Sequence, residues 1–166
     1  NNPVPVGGDN TYVFSKEIWN LLYEDENDQR GIETIDSFQI ANVKTVQWNV
    51  KYSGEYTDTR YWTQDIHIYR FAEALLFKAE IENEKNNPAT AVNYVNQVAE
   101  RAYGVANYYS ESLSKSQVDE VILKERAKEF FIEGRYWWDL IRFDKVFEKV
   151  LNLVGRENET NVLLWP

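Results

Sequence analysis

Two stretches of helical periodicity, separated by a short polar turn, constrain the fold of this chain more than any other feature. In the first, apolar residues recur every three or four positions across residues 68–79, and Asp65 before them is a residue type that caps helix starts. The second begins with the Asn-Pro pair at 87–88 and ends at Gly104, which is typical of a helix start and stop. Helices joined by about five residues are predicted to lie antiparallel.

The chain after residue 65 is predicted to be almost entirely helical. The helix pair resembles one unit of a tetratricopeptide array, which needs about three units for stability. A third helix is expected to start at Ser114 or Ser116 and to run to about Glu133, before Gly134 interrupts it. The fold class is therefore predicted as mainly α, a tetratricopeptide-like helical hairpin plus further packed helices. The buried side of a fourth helix is assigned to Trp137, Leu140, Ile141, Phe147 and Leu151.

The first part of the chain is predicted to be rich in loops, with a small β-hairpin. Ser15 can cap a short helix that extends to about Tyr23. Apolar and polar residues alternate at 46–52, which indicates a half-buried strand, and 38–43 is a candidate hairpin partner. The same alternation points Trp48 inward.

Length and composition suggest one incomplete domain. The expected division is a loop-rich mixed segment at 1–65 and a helical region at 66–166. A chain of 166 residues suits one domain, but the absence of Met and of a signal peptide suggests a fragment or a processed product. The longest apolar run, residues 74–77, is too short to cross a bilayer.

Charge and residue usage exclude several functions. With a net charge of −9, nucleic acid and anionic lipid are poor partners. Without Cys, disulfides and thiolate metal sites are excluded. The acidic run 24–28 lacks the glycine and the closing glutamate of a calcium-binding loop. A bundle di-metal site needs Glu-x-x-His motifs, whereas His67 is the sole histidine and is expected to be a surface or capping residue.

The charged third helix invites a catalytic interpretation. Glu125, Glu129 and Glu133 lie four apart and share one helix side. A glycosidase instead places two carboxylates across a cleft. Basic residues interleave with these glutamates, so structural ion pairs are the favoured interpretation, including direct pairs of Arg126 with Glu129 and of Asp139 with Arg142. The residues assigned to structural ion pairs are Glu125, Arg126, Glu129, Glu133, Asp139 and Arg142.

Aromatic residues offer a better candidate for recognition. The chain has 6 Trp, 11 Tyr and 8 Phe, more than a small core needs. Tyr56, Tyr61 and Trp62 lie in a polar segment where rings could stack on sugar faces while neighbouring polar groups bond the hydroxyls. They are the first candidates for a ligand platform, with Tyr12 behind them. The alternative is that these rings cover the helix pair.

Three ordered stretches resemble signatures of the SusD/RagB family. Residues 69–80, Tyr-Arg-Phe-Ala-Glu-Ala-Leu-Leu-Phe-Lys-Ala-Glu, resemble the family helix Arg-Tyr-Ala-Glu-x-Leu-Leu-x-x-Ala-Glu. Residues 95–104, Val-Asn-Gln-Val-Ala-Glu-Arg-Ala-Tyr-Gly, resemble a Leu/Val-Asn-x-Val-x-x-Arg-Ala segment that ends near a glycine. Residues 122–142 are similar to Ile-x-x-Glu-Arg-Arg-x-Glu-Phe-x-x-Glu-Gly-x-Arg-x-x-Asp-Leu-x-Arg, with Ala127 and Tyr136 in place of two arginines.

The resemblance implies a function and a location. Family members sit on the outer face of the outer membrane in Bacteroidetes, bind a glycan or another nutrient, and deliver it to a TonB-dependent, SusC-like transporter without catalysis. The resemblance implies no cofactor, and membrane attachment only through a lipid anchor absent from this chain. It also implies that this chain is the C-terminal third of a longer protein.

Two rival functions make different structural predictions. A helical protein-interaction scaffold without glycan binding predicts exposed apolar surface in the groove between residues 66 and 103. A glycosidase predicts two carboxylates that face each other across a pocket, about 5–10 Å apart.

Overall fold

The described residues are mainly helical, as predicted. The computed structural model describes residues 14–40, 44–52, 65–159, 161 and 163. These residues form seven α-helices and one pair of antiparallel strands. The chain divides between Ile66 and His67 into two compact units. Whether 1–65 and 66–166 together make one incomplete domain stays a prediction.

The first helix of the N-terminal unit forms where its cap predicts it. Helix α1 spans Lys16–Leu22. The Ser15 side chain accepts a hydrogen bond from the Ile18 backbone N–H at 3.3 Å, which satisfies one of the free donors of the first turn. The helix ends at Tyr23, whose hydroxyl donates to the Ile35 carbonyl oxygen at 2.6 Å. The prediction of a short helix capped by Ser15 is therefore confirmed.

A second short helix follows that the sequence did not predict. Helix α2 spans Gln29–Thr34, and the Asp28 carboxylate caps it by accepting from the Arg30 backbone N–H at 3.1 Å. The Arg30 guanidinium also donates to both oxygens of Asp28, at 2.8 and 2.9 Å. Asp28 is buried, so the last carboxylate of the acidic run serves the local fold.

Two strands pair next to α2. Strand β1 (Ile35–Ile40) runs antiparallel to strand β2 (Lys44–Asn49). The predicted strand at 46–52 was wrong at both ends. At its far end, the Asn49 side-chain oxygen accepts from the Lys51 backbone N–H at 3.0 Å, and this local turn stops the strand.

The helix pair of the C-terminal unit matches the predicted hairpin closely at its centre. Helix α3 (Phe71–Glu84) and helix α4 (Pro88–Tyr103) are joined by residues 85–87, and Gly104 ends α4 with a φ of 69°. Small side chains on both helices allow a close approach of the two backbones. The fully buried residues between them include Leu76, Ala79, Ala91, Val92 and Val95.

The predicted start of α3 was wrong. Asp65 does not cap this helix, because the helix begins six residues later, after Arg70. Arg70 has an extended backbone, with φ −131° and ψ 152°. Ile68, which the periodicity assigned to the buried stripe, lies before the helix and is 71% exposed.

The third helix has the predicted start but ends early. Helix α5 spans Lys115–Glu129, and Ser114 forms a reciprocal capping box with Gln117. The sequence predicted an end near Glu133. The helix cannot extend to Glu133, because Ile132 adopts a positive φ of 61°, which a right-handed helix does not allow.

The predicted fourth helix is broken into three pieces. Helix α6 spans Tyr136–Arg142, helix α7 spans Val146–Lys149, and a 3₁₀ turn spans Leu151–Leu153. Asp144, with a φ of 53°, separates the first two. Leu140 is buried as predicted, but Leu151 is 80% exposed, so its assignment to the core was wrong.

Polar contacts fix the direction of α5 against the helix pair. At the end of α3, the Asn83 amide donates to the Lys115 carbonyl oxygen at 2.9 Å and to an Asp119 carboxylate oxygen at 2.6 Å, both at the start of α5. Arg70, before the start of α3, contacts Glu129 at the end of α5. Helix α5 therefore runs antiparallel to α3.

Candidate functional site

The residues predicted to form the ligand platform lie outside the described part of the chain. These are Tyr12, Tyr56, Tyr61 and Trp62. The side chain of Trp48 is also outside the described set. The platform therefore stays a prediction, and the geometry of the helical unit has to be considered on its own.

The end of α5 carries a buried ion-pair network. Arg70 donates to a Glu129 carboxylate oxygen at 2.5 Å and to a Glu133 carboxylate oxygen at 2.8 Å. Arg101, near the end of α4, donates to both Glu129 oxygens at 2.5 and 2.6 Å. Glu129 is 3% exposed and is the centre of the network. One carboxylate thus joins the segment before α3 to the last turn of α4.

The hydrogen bonds of this network favour the ionised forms of Glu129 and Arg70. Burial opposes the ionisation of Glu129, but the hydrogen bonds from Arg70 and Arg101 outweigh it and lower the pKa of Glu129. Burial likewise opposes the charge of Arg70, and its bonds to Glu129 and Glu133 raise its pKa instead. Groups held in one charge state by such partners are poorly suited to proton transfer, so Glu129 and Arg70 form a structural ion pair.

Glu125 belongs to a second network, made mainly with tyrosines. It is fully buried and accepts from the Tyr103 hydroxyl at 2.9 Å and from the Tyr109 hydroxyl at 2.7 Å. The buried Lys128 ammonium donates to the Tyr103 hydroxyl at 3.0 Å. Burial and the neighbouring Glu125 charge raise the pKa of Tyr109. This network attaches the loop after α4 to the face of α5.

Arg126 pairs with a different residue from the one predicted. Its guanidinium contacts Asp139 at 2.8 Å rather than Glu129. It also lies over the rings of Phe77 and Phe130, at 4.6 and 5.0 Å from their centroids. The sequence separation of three suggested Glu129, but that carboxylate pairs with Arg70 and Arg101 instead. Asp139 also pairs with Arg142 at 2.9 Å.

A cavity of about 530 Å³ lies between the start of α3 and the end of α4. This volume is within the range of small-molecule sites. Two of its aromatic residues are highly exposed, Tyr69 at 79% and Phe71 at 76%. The other lining residues are His67, Arg70, Ala72, Leu75, Gln97, Val98 and Arg101.

Sequence reasoning missed this cavity because it assigned residues 65–70 to a helix. In a helix, Tyr69 and Phe71 point in different directions. In the extended backbone observed at Arg70, alternate side chains share a face, so Tyr69 and Phe71 lie opposite the inward-pointing Arg70. The Tyr-Arg-Phe order was the available signal, since an arginine flanked by two rings fits a strand-like alternation.

The described residues hold neither a metal cluster nor a long apolar helix. No group of three or more His, Asp or Glu residues among them could hold a metal ion. His67 is exposed and precedes the capping position of α3. Across residues 14–40, 44–52 and 65–159, no helix has the length and apolar character needed to cross a bilayer.

Comparisons with known proteins agree on one family. The model described as the SusD family matches residues 8–165. SusD-like protein P38 of Formosa agariphila is 32% identical over 108 residues, which are 61% of this chain and 21% of that protein. SusD-like protein P25 of the same organism is 36% identical over 100 residues, which are 60% of this chain and 19% of that protein.

A third relative is also a SusD-like protein. SusD-like protein P2 of Formosa agariphila is 35% identical over 98 residues, which are 55% of this chain and 19% of that protein. The chain spans about one fifth of the length of these curated relatives. No solved structure matches it significantly.

Proposed function

Because this chain belongs to the SusD/RagB family, we propose that the whole protein captures a nutrient, specifically an oligosaccharide, and passes it to a transporter unchanged. Proteins of this family are non-catalytic binding proteins. The family match over residues 8–165 is the observation that carries the proposal. The ion-pair networks support it, since Glu125, Glu129 and Glu133 bond to tyrosines or arginines of the scaffold.

The proposed location is the extracellular face of the outer membrane, with a TonB-dependent, SusC-like transporter as partner. Membrane attachment would come from a lipid anchor. The helix pair α3–α4 would be one unit of a tetratricopeptide-like array in the complete protein. Purification of the tagged full-length protein from outer membranes tests this partner. Co-purification of a TonB-dependent transporter is expected, and its absence under mild detergent would contradict the proposal.

The proposed ligand platform is the ring-rich segment before Asp65, with Tyr56, Tyr61 and Trp62 as its rings and Tyr12 beside them. What supports it is the concentration of rings among polar residues in the sequence. Glycan-array screening of the full-length protein should identify a ligand. Titration of that ligand against Trp62→Ala should then show weaker binding. Trp138→Ala is a matched control, because Trp138 is 56% exposed in the helical unit.

One observation favours a second function, a protein-interaction scaffold. That function predicts exposed apolar surface between residues 66 and 103, and Ile68, Tyr69 and Phe71 are 71%, 79% and 76% exposed. Large exposed apolar patches often mark contact sites. A scaffold would retain its partner after the rings of the proposed platform are removed, whereas a glycan-binding protein would lose its ligand.

A further inference from the structure

We propose that the cavity between the start of α3 and the end of α4 is a subsite for a neutral saccharide, formed by residues of the helical unit. This inference rests on the proposed function and assigns part of it to the helical unit. At about 530 Å³, the cavity is large enough for a small sugar unit rather than for a single water molecule or ion.

Two aromatic rings form the first element of the subsite. Arg70 has an extended backbone and turns its guanidinium inward to Glu129 and Glu133, so Tyr69 and Phe71 face outward together. Both rings remain more than three-quarters exposed. Flat rings of this kind present an apolar surface on which the C–H faces of a sugar can stack.

Arg135 contacts both the ring of Tyr69 and the backbone beside it. The Arg135 guanidinium lies 5.7 Å from the centroid of this ring. Arg135 also donates to the Ile68 carbonyl oxygen and lies 3.6 Å from the Glu73 carboxylate. The hydrogen bond restrains the backbone next to Tyr69, and the cation–π contact favours one orientation of its ring, which reduces the entropy lost on binding.

Polar atoms of α4 form the second element. Arg101 uses Nη2 for its bonds to Glu129, and none of the described residues accepts a hydrogen bond from its Nε or Nη1. Gln97 donates through Nε2 to the Asn93 carbonyl oxygen at 3.3 Å, while its side-chain oxygen has no donor among the described residues. Two lining residues thus supply both hydrogen-bond donors, from Arg101, and an acceptor, from Gln97, the combination that sugar hydroxyls require.

The charge balance selects a neutral sugar over an acidic one. Two arginines, Arg70 and Arg101, face the two carboxylates of Glu129 and Glu133, so the network has no excess positive charge. The whole chain has a net charge of −9 and would repel a polyanion. A purely apolar ligand would remove water from Arg101 and Gln97 without replacing its hydrogen bonds, which is unfavourable.

The test is calorimetric titration of the full-length protein with four neutral probes, maltohexaose, cellohexaose, xylohexaose and laminarihexaose. The subsite variants are the double change Tyr69→Ala with Phe71→Ala, and Gln97→Ala. All three side chains are exposed, so the fold should survive, and circular dichroism checks this. Trp138→Ala is the control, because its ring is exposed but does not line the cavity. The double variant should bind the active probe roughly tenfold more weakly, equivalent to about 1.4 kcal/mol.

The possible results separate this inference from the proposed function. If Trp62→Ala abolishes binding while the double variant and Gln97→Ala bind like the wild type, the subsite is refuted and oligosaccharide capture stands. If the double variant binds more weakly and Trp138→Ala does not, the subsite is supported. If the wild type binds none of the four probes but binds acidic oligosaccharides, the neutral subsite is refuted. If it binds no oligosaccharide at all, both proposals fail.

Discussion

Replacement of Glu129 by glutamine is the sharpest perturbation of the helical unit. Glutamine keeps the shape of the side chain but removes the charge that Arg70 and Arg101 share. Because Glu129 is 3% exposed, water cannot easily replace those contacts. The two arginines belong to different elements, so the substitution weakens the attachment of both to the end of α5.

The magnitude follows from the exposure of each partner. The side chain of Arg70 is 18% exposed, and a largely buried hydrogen bond between charged groups contributes about 1.5–3 kcal/mol. The side chain of Arg101 is 61% exposed, so solvent screening limits its pair to about 0–1 kcal/mol. Arg70 keeps its bond to Glu133, which prevents the larger loss expected of an isolated buried charge. We expect Glu129→Gln to lower the free energy of unfolding by about 1.5–4 kcal/mol.

Urea denaturation followed by circular dichroism measures this change. With a slope of about 2 kcal/mol per molar urea, a loss of about 3 kcal/mol moves the midpoint down by about 1.5 M. Glu82→Gln is the control, because the pair of Glu82 with Lys85 is at the surface, and its midpoint should not change measurably. Equal midpoints for Glu129→Gln and the wild type would show that the buried network adds no stability.

The difference in free energy of unfolding between the wild type and Glu129→Gln should depend on pH. The pKa of Glu129 is lower in the folded chain than in the unfolded one, so its contribution to stability is present above about pH 4.5. The contribution is lost as the pH falls through the lowered pKa of the folded state. The difference between the wild type and Glu129→Gln should therefore shrink in acid, and a constant difference down to about pH 2 would contradict this mechanism.

Three further changes test other parts of the structure. Tyr109→Phe removes a hydroxyl that bonds a fully buried carboxylate of α5 and should lower the free energy of unfolding by about 1–2 kcal/mol, measured by urea denaturation. Because the folded-state pKa of Tyr109 is raised, the wild type loses stability above about pH 10, and this variant should lose less. Ile132→Gly relieves a φ of 61° and should raise the thermal midpoint by about 2–4 °C, whereas Ile81→Gly, within α3, should lower it. Gly31→Ala places a methyl group 2.8 Å from the Leu22 carbonyl oxygen and should destabilise the N-terminal unit by about 1–3 kcal/mol, measured by hydrogen exchange.

Local signals predicted those elements whose ends are set by nearby residues. Ser15, Ser114, Pro88 and Gly104 all act within one turn of their own helix, and each marks an end that the structure confirms. These positions need no information about the rest of the fold. The mainly α class follows from them and from the periodicity between them.

The remaining boundaries depend on distant contacts. Arg70 ends the extended segment because its guanidinium reaches carboxylates 59 and 63 positions away, and no local pattern encodes that distance. For the same reason, the spacing of Arg126 and Glu129 suggested a pair that the structure does not form. The cavity beside Tyr69 could not be predicted either, since it exists only because α3 starts late.

The contacts of Arg70 and Asn83 have a consequence for how the helices can slide. The apolar cluster that α3 shares with α5 includes Leu76 and Ile122, both fully buried. Arg70 anchors one end of α3 to the end of α5, and Asn83 anchors the opposite end to its beginning. A shift by one turn, about 5.4 Å, would break both anchors at once. The axial register of α3 against α5 is therefore held by polar contacts at both ends, in addition to the packing of the apolar cluster between them.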